Sequence, residues 1–446
     1  MTRGDGGNMR ALVLRTGLIA FAIQCVFLFV GISKDPHTPF DEVAHFDYVV
    51  KLSKGHLPKV NEQYGQTSLE EVACQPNRGE AWAALEPCGS EYYSPKNAPF
   101  HGQSSATGYP PNYYLVTAVP YEVCDRILDF EPIDCGRISN SLWLATSSGL
   151  LASLMVMIGA VPLVAVVTAI GFNTLPAVLL QGITVNSDAA AQALAPALVL
   201  FAIYLTRKNF ESRKLWMIWT VALFIAIPTK PTILPVVAIA TYLLFDWTRT
   251  KDELIRKPSQ LVMPTLSLFG AIALSTAWQS LQVSWRGTGG KDYMTPWLVQ
   301  PFESLLTSLQ IAVTSAISPF SLLTWPQLSA PKMGTLSVLV ALLCWILLFA
   351  QRKEVNGSTV SPLGLVFSPE FSVISFLVAI LGPITLSAYA WFTVGSAPVQ
   401  PRYYMATLVL LGAIGLASTS SKWLIRIATT VLLISSSVTA WYLYLA

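Results

Sequence analysis

The chain has 446 residues, 53% of them hydrophobic and only 12% charged, about half the charged share of an ordinary soluble domain. Its mean hydropathy is +0.53. The net charge of +3 says little alone, but apolar runs of about 20 residues recur from end to end, which excludes a soluble globular domain. These runs do not alternate polar and apolar residues, which excludes a spanning β-barrel.

The expected class is therefore an all-α, polytopic transmembrane protein, read as one domain over residues 1–446. The first apolar run, 12–33, follows a short start carrying Arg3 and Arg10. It lacks a small-residue cleavage site and predicts a retained helix, not a signal peptide. The segment 34–136 comes next. Between Lys34 and Cys135 it holds fifteen acids, seven bases, all four histidines and four of the six cysteines. The short loops elsewhere are basic, around Arg207–Lys214, Arg249–Lys257, Arg352–Lys353 and Lys422–Arg426. Lysine and arginine collect on the cytoplasmic side of membrane proteins. The N-terminus is thus expected inside and 34–136 outside, as a large first outer loop.

Within that loop, 41–54 places Val43, Phe46, Val49, Val50 and Leu52 at helical spacing among polar residues, which suits a helix lying on the membrane surface. A second surface helix or half-span is expected over 111–129, opened by Pro110 and Pro111. An oxidising exterior would permit two local disulfides, Cys74–Cys88 and Cys124–Cys135, with free thiols or another pairing as the alternative. Cys25 and Cys344 sit in apolar runs and read as core residues.

Further spans are expected at about 137–159, 161–181, 189–206, 214–229, 232–248, 261–284, 333–351, 371–394, 403–420 and 423–445, eleven with the first. Residues 301–323 are apolar enough to enter the membrane halfway, but a full crossing would put Arg352 and Lys353 outside. They read as a re-entrant or surface helix.

Charges near spans need a reason, because one at the bilayer centre costs about 2.5–3.5 kcal/mol. Asp188 is the only acid between 138 and 210, and the topology puts it at an outer mouth. Lys230 interrupts an apolar stretch at another outer turn, and Arg402 opens a span from the outer side. With Asp41, Glu42 and Arg286, they suit a substrate with a lipid tail and an anionic head. Arginine and lysine would hold a phosphate, and a carboxylate could accept a proton from an attacking hydroxyl. Each has a plainer reading. Asp41, and Asp188 with Asn186, could be helix-start acids; Arg402 and Lys230 could snorkel to the interface. His45 lies four residues after Asp41, on the same helix face. Tyr113, Tyr114 and Tyr403 fit an interfacial belt as well as a sugar-lined site.

In order, the segments Asp41–Glu42, Pro110-Pro111-Asn112-Tyr113-Tyr114, Asn186-Ser187-Asp188 and Lys230 in TKPT resemble large bacterial membrane glycosyltransferases of the GT-C fold. More narrowly, the string P-x-D-E-x-x-H…Y…L…G-x-L-P and the late Q-x-R-Y resemble a bacterial polytopic membrane family described only as a domain of unknown function. Two positions depart from the pattern. Gln400-Pro401 precede Arg402 where a glycine is expected, and Asn112 stands where many relatives carry leucine.

The resemblance implies inverting transfer of a sugar from a polyprenyl-phosphate donor to an envelope glycan or lipid acceptor. The reaction would run on the outer face of the bacterial cytoplasmic membrane, without a nucleic-acid partner. Asp41 would be the general base, assisted by Glu42 or Asp188. Lys230, Arg402 and Arg286 would hold the donor phosphate. Asp188 and His45 would meet the acceptor, and Tyr113, Tyr114 and Tyr403 would line the substrate. The resemblance leaves room for a divalent cation (Mg²⁺, Mn²⁺ or Ca²⁺) on Asp41 and Asp188. No Walker loop or dinucleotide fingerprint occurs, in keeping with a lipid-linked donor. The competing readings are a lipid-linked glycan flippase or transporter, an envelope polysaccharide polymerase or ligase, and a non-catalytic assembly scaffold. A transporter would be expected to carry midplane charges and repeated halves, and neither is evident here.

Overall fold

The computed structural model describes residues 5–33, 41–75, 80–128, 130–206, 213–251, 259–292, 310, 313, 331–350, 369–394 and 404–444. Among the described residues it is all-helical, with 82% helix and no strands. The long helix α1 (Asp5–Ile32) leads into the loop layer, which contains α2 (Asp41–Ser53), α3 (Gln66–Cys74), four single 3-10 turns between Glu80 and Gly108, and α4 (Asn112–Ile127). Then follow α5 (Pro132–Ile158), α6 (Pro162–Asn173), α7 (Pro176–Ile183), α8 (Asp188–Thr206), α9 (Arg213–Thr229), α10 (Leu234–Lys251) and α11 (Ser259–Arg286). The last four are α12 (Pro331–Phe349), α13 (Pro369–Val394), α14 (Met405–Ser418) and α15 (Lys422–Tyr444).

This is a membrane protein by length and composition. Asn8–Ile32, Pro132–Ile158 and Asp188–Leu205 are each long and apolar enough to cross a bilayer. The α6–α7 pair meets that test only as a bent unit, and five further apolar stretches are shorter. About eleven spans were expected, and the described helices lie close to the expected ranges. One differs in kind. The span expected over 161–181 is broken, with α6 and α7 meeting at 76°. The cause is Pro176, the first residue of α7, which holds Leu175 in an extended conformation (ψ 136°); a residue before proline is pushed out of the helical region. Proline at the first helical position also opens α5 and α6. The expected element at 301–323 lies outside the described residues, apart from two isolated helical positions.

Two cores exist, and they differ in composition. The large one is mainly aliphatic and joins α1 and α5–α15. At the seam of α1 against α5, a Cβ added at Gly17 would sit 2.9 Å from the Gly149 carbonyl oxygen. Small residues at such crossings let helix backbones approach when the surrounding lipid offers no hydrophobic drive. The second core is aromatic and belongs to the loop layer: Phe46, Tyr48, Tyr64, Trp82, Tyr93, Tyr113, Tyr114 and Tyr121 are buried together.

The loop layer is stapled. Cys74–Cys88 and Cys124–Cys135 are both disulfides, the first of the two alternatives left open by the sequence. The second ties the end of α4 to the start of α5. Cys344 is free and buried, Cys25 free and half-buried. The end of α11 also joins this layer. Val60 donates to the Gly287 carbonyl at 3.0 Å, and Gly289 donates back to the Val60 carbonyl at 2.7 Å. The loop layer and the C-terminal end of α11 therefore share one face of the molecule.

Candidate functional site

The site is built where two helix starts meet, those of α2 and α8, beneath the loop layer. Helix α2 forms because its apolar residues recur at helical spacing and bury against α4 and α5. Phe46 meets Tyr121 edge-on at 6.1 Å, and Tyr48 stacks on Tyr114 at 3.9 Å. The helix begins at Asp41, as the sequence suggested. The backbone of Asp41 is therefore placed at the first position of α2, while its side chain, with Arg402 and Tyr403, lies outside the described residues.

Glu42 is buried and fully engaged. Arg137 Nε donates to its Oε1 at 2.9 Å and Arg137 Nη2 to its Oε2 at 3.3 Å. The backbone N–H of Val185 donates to Oε1 at 3.2 Å. Arg137, itself completely buried, also reaches Asp134 at 3.3 Å. A carboxylate held on three donors in a dry setting is a fixed point of structure. That geometry fits an anchor better than the assisting acid that the resemblance implied.

Asp188 opens α8. The turn before it is shaped by Asn186, whose side-chain oxygen accepts the Asp188 N–H at 2.9 Å, an Asx turn. Its carboxylate stands 2.5 Å from Lys230 Nζ, and both side chains are buried. Lys230 also donates to Ser187 Oγ at 3.0 Å and lies 5.6 Å from the centre of the Tyr109 ring, a cation–π distance. Lys230 sits where the chain turns from α9 into the single 3-10 turn Pro231–Ile233. The expected lysine and the expected second acid are thus partners.

A tyrosine–amide layer surrounds them. His45 Nδ1 shares a 2.7 Å hydrogen bond with the Tyr114 hydroxyl, and its ring stacks near Tyr109 and Tyr114. Tyr113 donates to Asn140 Oδ1 at 2.6 Å. Asn140 Nδ2 in turn donates to the carbonyls of Gln181, Gly182 and Thr184 at 2.6–3.1 Å, where α7 ends. Tyr113 and Tyr114 are fully buried, so they support the site from within and do not form an open wall.

Arg286 belongs to the same face but holds protein groups. Its Nη1 donates to the carbonyl of Thr107 at 2.8 Å, the hydroxyl of Tyr48 at 3.0 Å and the carbonyl of Pro58 at 3.3 Å. Burial pushes the Tyr48 phenol up to about 12, so it meets Arg286 as a neutral hydroxyl. The arginine fastens the end of α11 to the loop layer. Among the described residues no group of three or more His, Cys, Asp or Glu side chains stands close enough to hold a metal ion.

The sequence reading missed Arg137, Asn140 and Tyr109. Arg137 carried a usable signal. A base at the start of a span, next to an acidic loop on the side where bases are scarce, needs a carboxylate partner. Asn140 and Tyr109 offer no pattern of their own. The sequence matches no protein-family model, and no curated protein matches it either.

Proposed function

We propose that the protein is a membrane glycosyltransferase of the GT-C type. It would move a sugar from a polyprenyl-phosphate donor to a hydroxyl of an envelope glycan or lipid. The reaction would run on the face that carries the cystine-bearing loop layer, outside the bacterial cytoplasmic membrane. The observation that carries this reading is the buried Asp188–Lys230 pair, set at a helix start beneath that layer. Ionisable groups buried in a membrane domain are costly and are retained for function. Such a pair, near His45 and a tyrosine cluster, is a preorganised charge in a buried setting.

In this reading Asp41, at the first position of α2, takes the proton from the acceptor hydroxyl. The acceptor oxygen then attacks the anomeric carbon, and the bond to the phosphate oxygen breaks with inversion. Negative charge grows on the departing polyprenyl phosphate, and a cation near it lowers the barrier. Lys230 is the cation proposed for that place. Asp188 holds it in position, so that it needs no reorganisation as the leaving group develops. Arg402 is the second cation proposed for the phosphate. Arg286 has a different task here, holding the roof over the site.

The test is transfer of radiolabelled sugar from polyprenyl-phosphate donors in membranes, comparing wild type with Asp41→Asn. Removal of a general base costs about 10²–10⁴-fold. Normal transfer by a folded Asp41→Asn variant would remove Asp41 from the mechanism. Intact donor with a labelled glycan lipid changing leaflet would replace the transferase reading with a flippase.

A further inference from the structure

The first residues of α2 and α8 are the proposed base and the acid that holds Lys230. Glu42 follows Asp41 in the chain, and Val185 precedes Asp188 by three residues. One carboxylate therefore ties both helix starts together, accepting the Val185 N–H at 3.2 Å and the Arg137 guanidinium at 2.9 and 3.3 Å. Arg137 rises from the first turns of α5, a long apolar helix packed against α1 and α8. It therefore refers both helix starts to the rigid body of the membrane domain.

Other features hold the same point. Gly136, next to Arg137, faces Phe46 of α2 so closely that an added Cβ would meet its ring at 2.8 Å. The Cys124–Cys135 disulfide fixes α4 to α5 two residues before Arg137.

We infer that Arg137 and Glu42 form a positioning clasp that sets where Asp41 stands relative to the Asp188–Lys230 pair. This inference rests on the transferase reading for its kinetic consequence, but not for the clasp itself. Neither residue touches substrate. They are positioning residues: arginine supplies a planar fork that a lysine cannot copy, and a misplacement of about 1 Å can cost about 10²-fold in rate.

The experiment uses the purified full-length chain with Arg137→Lys, Arg137→Met and Glu42→Gln. Two readouts are taken. Hydrogen exchange over residues 41–50 reports whether the start of α2 is held, because exchange follows local opening. The clasp predicts exchange there at least about 10-fold faster in Arg137→Met, an intermediate value in Arg137→Lys, and little change over residues 422–430 of α15. Transfer kinetics should show kcat falling about 10²-fold with donor KM within about twofold. The acid limb of the pH–rate profile should keep its position, since Asp41 remains the base.

Unchanged exchange over 41–50 in Arg137→Lys and Glu42→Gln overturns the clasp. So does a rise in donor KM at constant kcat, which would make Arg137 a ligand of the donor. If Arg137→Met does not fold, the two milder variants decide. If wild type transfers sugar from no polyprenyl-phosphate donor, the transferase reading fails alone, and the exchange data still decide whether the clasp exists.

Discussion

Two buried ion pairs lie under the same loop layer, and they are built differently. In the Glu42–Arg137 pair, guanidinium and carboxylate meet through two nitrogens and both oxygens, and a backbone N–H adds a third donor. In the Asp188–Lys230 pair, a compact ammonium meets one carboxylate oxygen at 2.5 Å, beside a hydroxyl and over an aromatic ring. An arginine fork is suited to fixing geometry, whereas an ammonium on a four-carbon stem is suited to meeting a charge that changes. The comparison separates two tasks that the sequence reading had merged. In the transferase reading, the first pair would hold the site together, and the second, with Asp41, would carry its chemistry.

The largest expected effect breaks the chemical side alone. Asp41→Asn should lower transfer by about 10²–10⁴-fold while leaving thermal unfolding within about 0.5 kcal/mol of wild type. A large loss of stability in that variant would move Asp41 to the structural side of the comparison.

Next comes the clasp. Truncating one member of a buried pair strands the other charge and costs about 3–5 kcal/mol. Glu42→Ala should therefore destabilise strongly. Glu42→Leu combined with Arg137→Met should cost less than either single change, because no charge is left alone. A double-mutant cycle on unfolding in detergent measures the coupling. Additive losses would mean that the two residues do not act as a pair.

The disulfide that neighbours the clasp should be worth about 3 kcal/mol, the size expected for closing a loop of this length. Cys124→Ser with Cys135→Ser should lower the unfolding midpoint under oxidising conditions and abolish its sensitivity to reductant at that site. A midpoint unmoved by the double substitution would show that α4 is held by packing alone.

The smallest effect is a pH dependence at the edge of the clasp. Burial pushes Glu71 up to about 7, helped by the nearby charges of Glu131 and Asp134 and opposed by Arg137. A carboxyl whose folded pKa is raised binds its proton more tightly in the folded state. Stability therefore falls as pH rises from about 4.5 to about 7, by at most about 3 kcal/mol. Glu71→Gln should remove this slope and stabilise the protein above pH 7. A slope that survives the substitution would assign it to another group.

Much of the fold was legible because apolar runs and turn residues are local signals. The helix at 41–53, the helix at 112–127 and most long helices follow from spacing and from proline at helix starts. The break before Pro176 could have been read from the same proline, but the run around it was apolar enough to pass for one span. The site was legible only in part. Asp188, Lys230 and His45 stood out as polar residues in apolar surroundings. Their pairing did not, since 43 residues separate Lys230 from Ser187 and 95 separate Arg137 from Glu42. No periodic pattern links such distances. The protein partners of Arg286 were hidden for a related reason. A buried arginine that meets backbone carbonyls resembles, in sequence, one that awaits a phosphate.

The most direct test sets the two pairs side by side in one assay, with purified protein in liposomes and a radiolabelled polyprenyl-phosphate sugar. Lys230→Gln should raise donor KM and lower kcat, since the cation facing the leaving group is gone. Arg137→Lys should lower kcat with donor KM nearly unchanged. If both variants lose kcat and KM in the same proportion, or if Lys230→Gln transfers sugar as wild type does, the division between a holding pair and a working pair is wrong.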